Sequence, residues 1–105
     1  MNEAYTYELM PSAIRDLNGI MEYISVQLCA KESAINLLDE IEASIQNACI
    51  FPLAAPLLKD GPLLQKGYRK LIVKNYLVLY IPDDGKRILN VMRILYFSKD
   101  YLREL

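Results

Sequence analysis

The chain has no histidine among its 105 residues, which removes the side chain most often used for proton transfer near neutral pH and the commonest transition-metal ligand. It has only four glycines, and none stands in a Gly-rich phosphate loop of Walker or Rossmann type. The two cysteines, Cys29 and Cys49, lack metal-type spacing and lie on or beside predicted helices. They read as small core or boundary residues in a reducing compartment. Apolar runs are broken by charge or proline well before the roughly 18 residues of a membrane span, and no basic, then apolar, then small-residue leader opens the sequence. Acidic residues are scattered over helix positions and not gathered where they would hold a metal. The expectation is a cytoplasmic protein with no metal, no cofactor and no membrane partner.

Slightly over half of the residues are apolar, enough to build a core in one domain spanning residues 1–105. The net charge of −1 conceals a strong asymmetry: residues 1–58 hold two basic residues (Arg15 and Lys31) against eight acidic ones, a net of −6, while residues 59–105 hold ten basic and five acidic, a net of +5. Such a split points to an acidic partner or a phosphate backbone on one side. The plainer alternative is that the halves pair with each other across the fold.

Residues 4–9 alternate as a short strand does. Pro11 and Ser12 stop it, with Ser12 suited to cap the next element. Ile14, Leu17, Met21, Ile24 and Leu28 then recur at helical steps of three and four. Gly19 weakens that helix by about 1 kcal/mol relative to alanine, which suggests that another backbone comes close there. After a joint at Cys29-Ala30-Lys31, Ala34, Leu38, Ile41, Ile45 and Ala48 share the face of a second helix. A joint this short makes the pair an antiparallel helical hairpin. Residues 51–62 carry three prolines and a glycine, too many for regular structure, so they form a linker. Its many leucines require it to pack on the core or to await a partner.

Residues 67–81 read as two strands rich in β-branched and aromatic residues, joined at Lys74-Asn75, where Asn accepts the left-handed backbone of a tight turn. Asp84-Gly85 signals a second hairpin into a strand over residues 87–96. Residues 98–105 suit a short terminal helix capped by Ser98. The predicted class is therefore α+β: an N-terminal strand, a helical hairpin packed on a mainly antiparallel sheet of about four strands, and a C-terminal helix.

Arg69, Lys70, Lys74, Arg93 and Lys99 lie on or beside this sheet. Guanidinium groups flanking a phosphate can stabilise a pentavalent transition state while a tyrosine or lysine relays protons, which suffices in principle for 2′-hydroxyl attack on an RNA phosphodiester. The alternative is that the arginines pair with helix carboxylates or lay their stems along the sheet. Strand alternation puts Arg69 with Leu71 and Val73, and Tyr96 with Ile94 and Met92. Parity alone does not bring Arg69 and Tyr96 into one pocket; a bulge or a strand end is required.

The order strand, helical hairpin, Pro-rich linker, Gly67-Tyr68-Arg69-Lys70-Leu71-Ile72-Val73-Lys74-Asn75-Tyr76, then Arg93-Ile94-Leu95-Tyr96-Phe97-Ser98-Lys99-Asp100, resembles the RelE/ParE superfamily of bacterial type II toxins over nearly the whole chain. The resemblance implies a cognate antitoxin wrapped around a toxin. It also implies one of two targets: RelE-like members cut messenger RNA on the ribosome as endoribonucleases, whereas ParE-like members poison DNA gyrase without nuclease activity. On the first reading, which the motifs favour at this stage, Arg69, Arg93 and Tyr96 are catalytic and Lys66, Lys70, Lys74 and Lys99 contact RNA. Two departures stand against it: a slightly acidic chain has less counterion-release attraction to RNA, and Ser98-Lys99 replaces the usual Arg-Arg. A third reading is a non-toxic module that only binds antitoxin.

Overall fold

The structure, a computed structural model, describes residues 4–58 and 66–98. Its elements run β1 (Thr6–Leu9), α1 (Pro11–Glu22), a π-helical turn (Tyr23–Gln27), α2 (Lys31–Ile50), β2 (Arg69–Val73), β3 (Tyr76–Asp83) and β4 (Ile88–Tyr96). The strands form one sheet in the order β1-β4-β3-β2. β1 lies parallel to β4, and the other pairings are antiparallel. The architecture is the α+β class that the sequence predicts. The terminal helix proposed for residues 98–105 lies, beyond Ser98, outside the described residues, as does Lys99.

Both helices cover one face of the sheet. Ala13 and Ile24 from the first helix and turn, and Ala34, Leu37, Ile41, Ile45, Ala48 and Cys49 from α2, meet Val73, Val78, Tyr80, Leu89, Val91 and Ile94 in one core. Burying each large aliphatic side chain there stabilises the fold by about 1.5–3 kcal/mol. The α2 stripe turns on Leu37 where the spacing predicts Leu38, which is 36% exposed. In α1, Ile14 is likewise exposed and Ala13 fully buried. Helix positions one residue apart sit about 100° apart, so a small rotation of each helix on the sheet selects the neighbour.

Local chemistry differs from expectation at several junctions. α1 is capped by the backbone of Met10 with Pro11 at its first turn, and no side chain caps it; proline is pre-set for that position, so Ser12 falls inside the helix. In the first hairpin the left-handed residue is Lys74, φ +53°, and not Asn75. The second turn ends on Arg87 with φ +55°. Cys29, also left-handed at φ +50°, ends the π-helical turn and is exposed, whereas Cys49 is buried; both are free thiols.

The linker closes over the molecule. Leu57 bridges to Arg69, the Leu58 amide donates to Tyr68 O at 2.7 Å and the Lys70 amide donates to Pro56 O at 3.1 Å, so the linker runs along the outer edge of β2. Capping an edge in this way removes a template for aggregation. Leu58 also packs against Leu77 and Tyr68 on the sheet face away from the helices. Leu77, Leu79 and Leu95 are each no more than 6% exposed, so much of the apolar surplus on that face is absorbed by the chain itself.

Tyr80 pins the start of the linker to the core, its hydroxyl donating to Pro52 O at 2.8 Å. Burial pushes this phenol above its usual value, and the nearby Arg69 charge opposes the push. A phenol held neutral by the fold contributes stability that is complete below its unfolded value, about pH 10, and is lost as pH rises through the folded value. Tyr80→Phe is expected to cost about 1 kcal/mol near pH 7 through the lost hydrogen bond and to make the alkaline decline in stability shallower. Urea melts from pH 7 to 11 check both.

Candidate functional site

β4 has nine residues and β3 eight. The extra residue is Met92: Leu79 pairs with Arg93 and Tyr80 with Val91, which defines a β-bulge. The bulge shifts everything beyond it by one register step. It places Ile94 opposite Val78 in the core and Tyr96 opposite Tyr76. Without it, alternation would set Leu95 opposite Tyr76 and send Ile94 to the far face.

β1 ends at Leu9, paired with Val91, so among the described residues the next stretch of β4 has no strand on that side. Asp16 of α1 fills the vacated lane. Its Oδ2 accepts from Arg93 Nε at 2.7 Å and from the Ile94 amide at 3.0 Å, and its Oδ1 accepts from Arg93 Nη2 at 3.1 Å. Both side chains are mostly shielded, 23% and 16% exposed. A two-pronged, charge-assisted contact of this kind is far more restraining than a surface ion pair.

Beyond Asp16 the space between α1 and the end of β4 opens into a cleft of about 750 Å³, bounded by Gly19, Ile20 and Tyr23 on one wall and Tyr76, Ile94 and Tyr96 on the other. Arg15 stands at its rim and is exposed. Tyr96 is 61% and Tyr23 48% exposed. The Tyr76 and Tyr96 rings meet edge to face, centroids 5.7 Å apart. Burial, then the neighbouring phenols Tyr96 and Tyr23, raise the Tyr76 hydroxyl above its ordinary value, so it is a neutral donor and no base at physiological pH. Among the described residues outside its own turn of helix, Gly19 has no atom within 4 Å of where a Cβ would stand. It admits no close backbone, contrary to expectation, and instead helps to leave the cleft open.

The sequence-nominated residues divide accordingly. Arg93 is held by Asp16. Arg69 shares the helix-side face with its partner Tyr80 and donates from Nη1 to Leu53 O at 3.1 Å and Ala55 O at 2.7 Å, fastening the linker. Lys74 pairs with Glu40 across 3.3 Å, both about half exposed, a contact worth at most about 1 kcal/mol. Lys66 is exposed and Lys70 half-buried. The structure thus holds Arg93 mid-strand on Asp16, sets Tyr96 at the end of β4 against Tyr76, and leaves Arg69 at the linker. It adds Asp16, Tyr23 and Tyr76, which the sequence reading passed over because a helix carboxylate and two scattered tyrosines carry no motif. Among the described residues no group of three or more acidic or cysteine side chains is placed to hold a metal, and no helix is long and apolar enough to cross a membrane.

This arrangement of helical hairpin and sheet has known counterparts. The ParE toxin model of type II toxin-antitoxin systems matches residues 7–101. The chain therefore belongs to that family, within the RelE/ParE superfamily of toxins. Among solved structures, the chromosomal ParDE toxin-antitoxin system from P. aeruginosa superposes with a TM-score of 0.71 at 16% identity, covering 90% of this chain and 98% of the other. The RelBE2 toxin-antitoxin complex from Mycobacterium tuberculosis gives 0.63 at 20% identity over 90% and 100%. No curated protein matches in sequence.

Gly19→Ala is expected to raise stability by about 1 kcal/mol, since the helix gains propensity and nothing obstructs the methyl. Arg93→Met is expected to cost about 3 kcal/mol, because it strands a shielded carboxylate. Chemical denaturation of the purified variants checks both signs.

Proposed function

We propose that this toxin arrests growth in the bacterial cytoplasm by docking on a protein target, DNA gyrase, through the tyrosine cleft, and that a cognate antitoxin masks it. The observation that carries this reading is that both nominated guanidinium groups already serve the fold, Arg93 on the Asp16 carboxylate and Arg69 on the Leu53 and Ala55 carbonyls. Cutting an RNA phosphodiester needs charge poised on the reacting phosphate and a group that moves protons. In this reading Arg69 and Arg93 are framework, Tyr96 is an aromatic anchor, and Lys66, Lys70, Lys74 and Lys99 supply attraction to an acidic surface. The ParE family match is compatible with this branch, and the ParDE and RelBE2 structures, each a toxin-antitoxin system or complex, support an antitoxin partner here.

Ribosome-dependent messenger RNA cleavage is the second reading, favoured by the exposed Tyr96 in an open cleft with Arg15 at its rim. On that reading Tyr96 assists proton transfer, and Arg69 and Arg93 must leave their present partners to reach phosphate.

The purified chain is expected to inhibit DNA supercoiling by gyrase, with inhibition falling about tenfold or more in Tyr96→Ala, the loss typical of an aromatic anchor. Primer extension on cellular messenger RNA after induction should show no codon-registered cuts. Such cuts, with supercoiling untouched, would establish the nuclease reading. Absence of growth arrest on expression would leave the non-toxic antitoxin-binding module.

A further inference from the structure

We infer that Asp16 is a positioning residue for the tyrosine cleft: its carboxylate fixes the bulged register of β4 and thereby the placement of Tyr96 against Tyr76. The inference rests on the cleft being the surface through which the toxin acts.

β4 changes neighbours along its length. Up to Val91 it is flanked by β1, whose last link is the Met10 amide donating to Val91 O at 2.9 Å. Further on, the Phe97 amide donates to Asn75 O at 2.7 Å, toward β3. In an extended strand successive amides point to opposite sides, so those of Ile94 and Tyr96 point away from β3, into the lane that β1 leaves empty. The Ile94 amide needs a partner there, because Ile94 is only 1% exposed. Asp16 Oδ2 supplies it.

The same carboxylate holds Arg93, the residue immediately beyond the extra Met92. Asp16 therefore grips the strand on both sides of the peptide that follows the bulge. A bulge has one alternative nearby, the regular register, and that alternative would pair Leu95 with Tyr76 and displace Tyr96. The cost of leaving for it is the loss of three hydrogen bonds to one side chain. Asp16 also lines the cleft that the register creates, so the group that sets the strand and the wall it sets are contiguous.

The test uses the full chain with Asp16→Ala and Asp16→Asn. Three readings are taken: nuclear Overhauser contacts between the Tyr76 and Tyr96 rings, exchange of the Ile94 amide, and growth arrest on induction in a bacterial host. Asp16→Ala is expected to lose the ring contact, to speed Ile94 exchange about tenfold or more, as loss of a hydrogen bond to a charged group should, and to lose arrest while still melting cooperatively. Asp16→Asn keeps one acceptor and loses the ion pair, so it should fall between wild type and alanine on each reading, and it carries the test where the alanine chain does not fold. Ring contact and Ile94 exchange at wild-type values in either variant would overturn the assignment. So would wild-type arrest in a variant whose ring contact is lost. Should wild type itself fail to arrest growth, the functional reading falls, while ring contact and exchange still decide whether Asp16 sets the register.

Discussion

A strand that exchanges one neighbour for another must satisfy the backbone groups that fall in the gap, and β4 meets this constraint with a single aspartate. It passes from β1 to α1 just beyond Val91, and the Ile94 amide at that point turns to Asp16. Three features follow from this contact. α1 is fastened to the sheet by directional bonds as well as by apolar packing; Ile94 is kept in the core; and the last turn of β4 is aimed so that Tyr96 meets Tyr76. Each would be lost or weakened if the helix were held only by hydrophobic contact, which is non-directional and tolerates rotation.

The cations of the C-terminal half are used in the same economical manner. The linker over residues 52–56 is irregular and proline-interrupted; the Lys70 amide of β2 takes Pro56 O, and Tyr80 and Arg69 reach across to satisfy the carbonyls of Pro52, Leu53 and Ala55. Arg93 neutralises the shielded carboxylate of α1, and Lys74 meets Glu40 of α2. The charge asymmetry visible along the sequence is thus partly consumed by pairing between the acidic helices and the basic sheet. Lys66, exposed near the start of the sheet strands, and Arg15 at the cleft remain directed outward among the described residues.

The elements, their order and the fold class could be read from periodicity because burial on one face imposes steps of three and four on helices and of two on strands. What periodicity leaves degenerate is rotation by one residue, and the exchange of Leu38 for Leu37 falls there. Ser12 and Asn75 depart from their expected roles for a related reason. Each has a strong local preference, but Pro11 fixes the helix start two residues earlier, with Met10 in the cap position, and the register of Val73 with Tyr76 puts Lys74 at the left-handed position. Parity implies a bulge or a strand end only if Arg69 and Tyr96 are to share a pocket; the structure has the bulge, at Met92, while Arg69 lies outside the cleft that Tyr96 lines. Met92 carries no mark, since the bulge is stabilised by a carboxylate 77 residues away along the chain from Arg93.

The site shows why family membership and mechanism separate. In this chain the guanidinium groups at the sheet hold a helix carboxylate and collect loop carbonyls, so the fold accounts for them whether or not any phosphate is bound. An arginine motif in this scaffold consequently argues for the scaffold first, and function has to be argued from what the scaffold leaves exposed. Among the described residues that surface is aromatic, with Tyr23, Tyr76 and Tyr96 around an open cleft and Arg15 at its edge. Tyrosines contribute broad contact area with little conformational entropy to lose and with a polar tip that tolerates water, and such a surface fits a protein partner better than the in-line geometry of phosphoryl chemistry. On the proposed reading the two arginines serve the fold, and the tyrosines are what the scaffold leaves to meet a partner.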